Sequence, residues 1–285
     1  MRVSVPALSV VVATRDRPAA LERCLTALSW QTAADLEVVV VDDASARPAA
    51  VVEAVTRTDQ GPRTRVVAGA GRGPAAARNL GAGLARGSIV LFTDDDCVPV
   101  PGWALGLAAA CANGGAAAGT TIADPRAGRA AAASQLITHT LQIASHDPAT
   151  GLLGFAPTCN LACHADVMRR VSFDESFPLA AGEDRDWCSR IAAVGIELRY
   201  VERATVEHCP QLGAGGLVRQ GARYGRGAVR FRALGDGRRL SGRAFYGRLA
   251  RESAIAGPRV ALHVALAQAA GAAGAARELA AGRRQ

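Results

Sequence analysis

The sequence contains no lysine, and all 33 of its basic residues are arginine. Aromatic residues make up 4% of the 285 positions, so alanine, valine and leucine have to fill the interior. The seven cysteines include no CxxC pair, and their odd number argues against a disulfide framework. We therefore expect reduced thiols and a cytoplasmic location.

Long hydrophobic runs are also missing, and the alanine-rich stretch near the C-terminus is too interrupted to predict a membrane span. The N-terminal segment MRVSVPALSVVVATRDRP has a short apolar run without a small-residue cleavage site, so it predicts a strand and no signal peptide. The hydrophobic fraction of 49% argues against a disordered chain and for a globular protein.

Charge is unevenly distributed around a formal net value of +8. Basic residues crowd the segment from Arg219 to Arg251, whereas the carboxylates concentrate before Glu207. This asymmetry predicts an anionic partner for the C-terminal third. Nucleic acid is not expected, because the segment has no nucleic-acid motif and few aromatic side chains for stacking. A phosphate-bearing lipid or a membrane surface fits the charge at least as well.

Short β-branched runs alternate with helical segments in the first third of the chain. Strands are predicted over 8–13, 36–45, 64–70 and 88–96, with helices between them. This alternation predicts an α/β fold with a mostly parallel sheet covered by helices on both faces. Ligands of such sheets bind at the carboxyl ends of the strands. Polar residues stand at three of those ends: Thr14, Arg15, Asp16, Asp42, Asp43, Asp94, Asp95 and Asp96.

Three adjacent carboxylates, Asp94, Asp95 and Asp96, directly follow the apolar run IVLF and Thr93. Side chains alternate along an extended chain, so Asp94 and Asp96 are expected on one side and Asp95 on the other. Two converging carboxylates suit a hard divalent cation, Mn²⁺ or Mg²⁺, shared with diphosphate oxygens. A solvated acidic turn is the alternative, and the position directly after a buried strand favours the metal.

The rest of the chain is less regular. Segments 104–118 and 127–145 are expected to be helical or loosely ordered, and IELRYVERATVEH predicts an extended segment ending at His208. GEDRDWCSRIAAVG predicts a helix whose acidic first turn, Glu183 and Asp184, is stabilised by the helix dipole. On residues alone, these two carboxylates are explained equally well by helix capping and by catalysis. Arginine-rich helices are predicted beyond Gly213. They precede an alanine-rich helix over 258–281 that either lies on a membrane interface or packs on the domain.

The segment GAGRGPAAARNLG contains Gly71-x-Gly73-x-x-Ala76, which is similar to a dinucleotide fingerprint. It follows the third strand, however, and no acidic residue follows it in a ribose-binding position, so an NAD-dependent dehydrogenase is disfavoured. The same segment predicts an anion-binding helix start with Arg78 near phosphate.

Five segments together carry a resemblance to a known family: LSVVVATRDRP, VVVVDDAS, AARNLGAGLARGSIVLFTDDDC, NLACHADVMRRVSFDESF and GEDRDWCSRI. In their order and approximate spacing, from Leu8 to His208, they resemble a bacterial, inverting family 2 glycosyltransferase of the GT-A fold. The resemblance implies that a nucleoside diphosphate sugar is the donor. It implies that Asp43 accepts a hydrogen bond from the base of this nucleotide. It also implies that Thr14, Asp16, Arg78 and Asp95 contact the nucleoside diphosphate sugar.

The resemblance also implies a metal site and a catalytic base. Asp94 and Asp96 would bind Mn²⁺ or Mg²⁺, and His208 would complete the shell. Asp184 would act as general base with Glu183 beside it, and Asn160 would line the sugar or acceptor pocket. The chemistry agrees, since a departing diphosphate needs its charge stabilised and an acceptor hydroxyl needs a base.

We therefore predict a GT-A domain over 1–212 and a basic helical extension over 213–285. The predicted activity is metal-dependent inverting transfer of a sugar to an acceptor that is lipid-linked or a small molecule. UDP is the favoured donor nucleotide because Asp43 suits the N3–H of uracil. One alternative is a sugar-phosphate nucleotidyltransferase, although ATRDRP lacks the glycine-rich, lysine-containing loop of that class. The other is a non-catalytic module peripheral to the inner face of the membrane.

Overall fold

The computed structural model describes residues 7–33, 35–58, 63–177, 181–233 and 242–282. In chain order the elements are β1 (Leu8–Thr14), α1 (Pro18–Ser29), β2 (Leu36–Asp42), α2 (Pro48–Thr58), β3 (Arg63–Ala68), α3 (Pro74–Leu84), β4 (Ile89–Asp94), β5 (Cys97–Pro99), α4 (Trp103–Cys111), β6 (Ala116–Ala123), α5 (Arg129–Ala144), β7 (His146–Asp147), β8 (Leu152–Leu153), β9 (Asn160–His164), α6 (Ala165–Arg170), α7 (Glu183–Ala193), β10 (Leu198–His208), α8 (Ala214–Ala233), α9 (Arg243–Ile255) and α10 (Pro258–Gly282).

The strands form one sheet in the order β3-β2-β1-β4-β9-β6-β10-β8-β7, with β5 paired to β10. β3, β2, β1 and β4 are parallel neighbours, whereas β9 runs antiparallel between β4 and β6. The α/β architecture with a mostly parallel sheet, predicted from the strand–helix alternation, is confirmed. β1, β2 and β4 are buried, mainly apolar strands, and each ends in a polar residue at the same edge of the sheet.

Helices cover both faces of the parallel part of the sheet. Val10 and Val12 of β1 pack with α1, α2 and α4, whereas the intervening Val11 packs with the cluster around Phe92 and Trp187. These β1 side chains have no exposed surface, as expected for a strand that is buried on both sides. The core is aliphatic because aromatic residues are scarce. Phe173 is one of the few aromatic anchors, packing edge-on to Phe92 and stacking on Trp187.

The prediction that 104–118 is helical or loosely ordered is wrong at its C-terminal end. A helix occupies Trp103–Cys111, but Ala116–Ala123 forms β6 between β9 and β10. Alanine favours helices, but here tertiary packing overrides that weak preference. The strand is tightly enclosed, since a Cβ at Gly119 would lie 1.8 Å from the carbonyl oxygen of Ala204.

The C-terminal helices pack on α5 through an apolar cluster that includes Leu141, Leu217, Phe245 and Leu249. The axes of α8 and α10 approach closely through small residues, because a Cβ at Gly225 would lie 1.8 Å from the Gly271 carbonyl oxygen. α10 therefore docks on the rest of the chain, which is one of the two placements predicted for it. Across the residues that the structure places, no helix is both long enough and apolar enough to cross a bilayer. The boundary between domains at residue 212 stays a prediction.

Candidate active site at the carboxyl edge of the sheet

The carboxylates that follow β4 lie beside the end of β1, and one of them is hydrogen-bonded to it. Parallel pairing aligns Ala13 with Asp94, and the Thr14 hydroxyl donates a 2.7 Å hydrogen bond to Oδ2 of Asp95. Asp95 has no exposed surface. Burial raises the pKa of Asp95 to about 7, although Arg17 and Thr14 oppose that shift. Asp95 thus faces inward, toward β1, whereas its two neighbours lie at the surface of the site.

Arg17 supplies positive charge to this cluster, and the sequence analysis did not identify it. Its guanidinium lies 3.0 Å from Asp95 Oδ1 and donates a 2.8 Å hydrogen bond to Asp96 Oδ2. Arg17 stands in the quoted motif TRDRP, directly before the first residue of α1. Its position after β1, next to the strand that ends in the aspartates, was the available signal.

Asp96 and His208 form the second half of the carboxylate cluster. His208 Nε2 lies 3.4 Å from Asp96 Oδ1, and His208 Nδ1 lies 3.0 Å from the side-chain oxygen of Gln135. Burial disfavours both charges, but the contact between them prevails: it lowers the pKa of Asp96 to about 2 and raises that of His208 to about 9. Gln135 was missed by the sequence analysis, because it lies within an alanine-rich helix.

The donor set suits a hard or borderline divalent cation. Ligand atoms of Asp96, Cys97 and His208 lie within 4.8 Å of one another. Carboxylate oxygen and imidazole nitrogen are suitable ligands for Mn²⁺. Burial raises the pKa of the Cys97 thiol well above its usual range, so this sulfur stays protonated and is a poor ligand. The residues present therefore fit a metal held by Asp96 and His208, and the imidazole of His208 would lose its proton on binding the ion.

Arg78 connects the metal-side carboxylates to the start of α7. Its guanidinium donates to Asp94 Oδ1 at 2.8 Å and to Glu183 Oε1 at 3.2 Å. The arginine side chain is almost completely buried, and the two carboxylates raise its pKa even though burial opposes its charge. Asp94 and Asp96 consequently have different partners, Arg78 for the first and Arg17 with His208 for the second.

The acidic first turn of α7 lies on the other side of Arg78. Gly182 precedes it with φ 102°, a conformation that favours glycine, and a Cβ there would lie 3.1 Å from the Gly227 carbonyl oxygen. Burial, together with the neighbouring charge of Asp184, raises the pKa of Glu183 to about 7. Burial also raises the pKa of Asp184, whose Oδ1 accepts a 2.8 Å hydrogen bond from the backbone N–H of Arg185.

These groups share one cavity of about 130 Å³. Its polar lining brings together residues from four separate parts of the sequence: Arg78, Asp94, Glu183, Asp184 and His208. The side chains of Thr138, Phe155 and Tyr224 also line it, so α5 and α8 contribute walls. The sequence analysis missed these wall residues because nothing in their local pattern distinguishes them from ordinary helix and loop positions.

Asp43 and Asp16 lie at the ends of β2 and β1. Oδ2 of Asp43 accepts a 2.9 Å hydrogen bond from the Gly73 N–H. Its Oδ1 is buried and has no hydrogen-bond partner within the part of the chain that the structure describes. Asp16 has a left-handed backbone at φ 56° and joins the two loops, since its Oδ1 accepts a 2.7 Å hydrogen bond from the Ala46 N–H.

Asn160 lies apart from the cavity. It has no exposed surface, its amide donates to the carbonyl oxygens of Thr120 and Ala204 at 2.9 Å, and its oxygen accepts from the Trp103 indole at 2.8 Å. These bonds link β9 to β6, β10 and α4. The predicted place of Asn160 beside the sugar or acceptor stays a prediction, and its bonds in this structure are structural.

The arginines of α8 do not form one free basic face. Both Arg226 and Arg230 donate 2.7 Å hydrogen bonds through Nε to the carboxylate of Glu278 on α10. Four arginines of α8 recur at helical spacing, Arg219, Arg223, Arg226 and Arg230, and the last two are therefore neutralised within the C-terminal helices.

The fold is that of GT-A glycosyltransferases. The structure is similar to that of the mannosyltransferase PcManGT from Pyrobaculum calidifontis in complex with GDP-Man and Mn²⁺, with a TM-score of 0.60, 22% identity and coverage of 99% of this chain and 81% of that one. It is also similar to S. aureus TarS in complex with UDP, with a TM-score of 0.53, 18% identity and coverage of 78% and 65%. Identities this low establish the fold alone.

Sequence comparison identifies the family. Residues 9–177 match the model of glycosyl transferase family 2, and the chain belongs to that family. The pre-mycofactocin glycosyltransferase of Mycobacterium tuberculosis is 29% identical over 212 residues, which cover 70% of this chain and 42% of the relative. The glycosyltransferase AglE of Haloferax volcanii is 26% identical over 236 residues, which cover 80% of this chain and 75% of the relative. The chain thus spans less than half the length of the mycobacterial protein.

Proposed function

We propose that the protein is a metal-dependent, inverting glycosyltransferase that moves a sugar from a nucleoside diphosphate to an acceptor hydroxyl. One observation carries the proposal: the Arg78 guanidinium is bonded to both Asp94 and Glu183. It joins a carboxylate of the metal side to one of the base side, and these three groups line the same cavity as Asp184. The leaving group and the nucleophile can therefore both be bound in this one cavity.

Asp96 and His208 would hold Mn²⁺ or Mg²⁺, with Asp94 beside them. When bound, the metal supplies positive charge that stabilises the departing diphosphate. Arg78 provides a second positive charge at the same edge, and it stays protonated because two carboxylates surround it. The complex of PcManGT with GDP-Man and Mn²⁺ supports the same combination of ligands on this fold.

Asp43 would bind the base of the donor. Its buried Oδ1 is an acceptor without a partner among the described residues, and an unsatisfied buried acceptor is costly unless a ligand donates to it. The N3–H of uracil is such a donor, so UDP is favoured. The two similar structures contain GDP-Man and UDP, so both types of nucleotide occur on this fold.

Asp184 would act as general base. Its raised pKa makes it a stronger base than a free aspartate, and it must be ionised to take the proton of the acceptor hydroxyl. The acceptor oxygen then forms a bond to the anomeric carbon as the bond to the diphosphate oxygen breaks on the opposite face. The bonding electrons leave with the diphosphate, the proton remains on Asp184, and the anomeric configuration is inverted.

The first test is a thermal-shift screen of the purified protein with UDP, GDP, TDP, CDP and NAD, each with and without Mn²⁺. A ligand at a hundred times its dissociation constant adds about 2.7 kcal/mol to the free energy of unfolding, which is readily detected. A Mn²⁺-dependent shift with one nucleoside diphosphate is expected. A shift with NAD alone would favour an NAD-dependent dehydrogenase, with Gly71 in its dinucleotide fingerprint, and would contradict the proposal.

The second test separates catalysis from binding. Asp184→Asn should lower kcat for transfer by about 10²–10⁴-fold, which is the usual contribution of a general base. Its Mn²⁺-dependent nucleotide shift should be unchanged. Glu197→Gln, at an exposed position paired with Arg199, is the matched control and should transfer at the wild-type rate. Full activity of Asp184→Asn would rule out this base.

All seven cysteines are unpaired, and six are buried. Free thiols support a cytoplasmic site of action, and a peripheral position at the inner face of the membrane remains part of the proposal for the C-terminal helices.

A further inference from the structure

A second cavity of about 300 Å³ adjoins the one that contains Asp184. Helices α5, α8, α9 and α10 enclose it, and most of its wall is apolar, with contributions from Ile137, Leu141, Leu217 and Phe245. The two cavities share part of their lining: Ser134, Ile137, Leu141, Arg185, Tyr224 and Ala228. A molecule seated in the apolar cavity can therefore extend toward the carboxylates of α7.

Arg185 stands at the junction of the two cavities. Its guanidinium lies over the ring of Phe155, 5.7 Å from the ring centroid, which is within the range of a cation–π contact. Among the described residues, no carboxylate lies within ion-pair distance of this guanidinium. Its backbone N–H donates a hydrogen bond to Oδ1 of Asp184. The cation and the proposed base, which are adjacent in sequence, are thus held together in the first turn of α7.

Arg232 is a second cation at the apolar cavity. It is exposed, and it too has no carboxylate partner among the residues that the structure places. Burial lowers the pKa of Arg185 and the charge of Arg232 adds to that shift, whereas the neighbouring charge of Asp184 opposes it. Two like charges at a mainly apolar cavity are stabilised when an anion enters between or beside them. By contrast, Arg226 and Arg230 are already neutralised by Glu278.

We propose that this cavity binds the acceptor, and that the acceptor is a compact apolar molecule with an anionic group held by Arg185. The apolar body would lie against Leu141 and Phe245, the anion at Arg185, and the hydroxyl that receives the sugar toward Asp184. The inference rests on the proposed glycosyl transfer and adds the chemical class of the acceptor. Arg185 is assigned as a residue that determines acceptor specificity.

The test uses a fluorescent probe with the same chemistry, 1-anilinonaphthalene-8-sulfonate, which is apolar and anionic. The wild-type protein should bind it, and 2-naphthoate should displace it at a concentration lower than 2-naphthamide by about tenfold, because a charge-assisted hydrogen bond is lost in the amide. Arg185→Gln should remove this preference for the anion. Arg259→Gln, an exposed arginine of α10 outside both cavities, is the matched control and should keep it.

The outcomes separate this inference from the proposed function. Arg185→Gln should retain the Mn²⁺-dependent nucleotide shift, because the groups proposed to bind the nucleotide and the metal do not include Arg185. Equal displacement by naphthoate and naphthamide, or an unchanged preference in Arg185→Gln, would overturn the inference even if nucleotide binding is intact. Displacement by a polyprenyl phosphate in mixed micelles, but not by 2-naphthoate, would overturn the compact acceptor and assign the anion to a lipid. Absence of nucleotide binding in the wild type would instead contradict the proposed transferase.

Discussion

His208 Nε2, at the end of β10, lies 3.4 Å from Oδ1 of Asp96, which follows β4. Antiparallel pairing of His208 with Cys97 places the histidine beside the aspartate triplet. The short strand β5 thus brings a distant histidine to a carboxylate, and a mixed oxygen and nitrogen donor set results.

His208→Asn should weaken Mn²⁺ binding. Loss of a group that only orients a metal ligand typically lowers affinity by about 10–100-fold, so loss of the ligand itself should lower it by at least that factor. The measurement is the Mn²⁺ concentration at half-maximal thermal shift in the presence of the bound nucleotide. His263→Asn on α10, whose ring contacts the Arg259 carbonyl oxygen, is the matched control. Equal Mn²⁺ affinity in both variants would remove His208 from the metal site.

The transfer rate should fall on the acid side as the α7 carboxylates become protonated. Glu183 has its pKa raised to about 7, and the pKa of Asp184 is also raised, so kcat/KM should decrease as the pH falls through this range. Glu183→Gln removes a neighbouring negative charge and should move the acid limb to lower pH, since the opposing charges of Arg78 and Arg185 remain. A pH–rate profile of both proteins tests this. An acid limb that stays in place would show that the two carboxylates are not coupled.

Arg78→Gln should strongly destabilise the protein. Removing the guanidinium leaves Glu183 buried without a counter-charge, and breaking a buried ion pair in this way costs about 3–5 kcal/mol of unfolding free energy. Arg72→Gln breaks the exposed pair with Glu175 and should cost less than about 1 kcal/mol. Urea unfolding of the two variants gives the comparison, and similar losses in both would contradict the buried-bridge interpretation.

Two glycines of α3 should respond oppositely to alanine. A Cβ at Gly81 would lie 2.4 Å from Val11 Cγ1 in the sheet core, whereas a Cβ at Gly83 would have no neighbour within 4 Å. Gly81→Ala should lower the unfolding free energy by about 1–3 kcal/mol through overpacking. Gly83→Ala should be neutral or stabilising by up to about 1 kcal/mol, because alanine favours the helix. An unfolding free energy that Gly81→Ala leaves unchanged would show that β1 can shift to accommodate the added methyl group.

Local pattern predicted most of the fold. The strands of the N-terminal half, the helices after Pro18 and Pro74, and the helix that begins with Glu183 lie close to their expected positions. β6 was not predicted, because an alanine run carries no β-strand signal and becomes a strand only through its neighbours β9 and β10. Family membership and the GT-A fold were likewise predictable, since several short motifs occurred together in the right order.

The sequence by itself determined where the candidate polar groups stand, because strands that are buried on both faces leave polar groups only at their ends. Asp43 and the Asp94–Asp96 triplet were predicted in this way, whereas the role of Glu183 and Asp184 was implied by the family resemblance. Tertiary structure alone decided the partners. Arg17 and Thr14 contact Asp95, Arg78 bridges Asp94 to Glu183, and no carboxylate of the described residues lies within ion-pair distance of Arg185. Such contacts depend on which segments, distant in sequence, lie next to each other in the fold. Local sequence periodicity does not specify this.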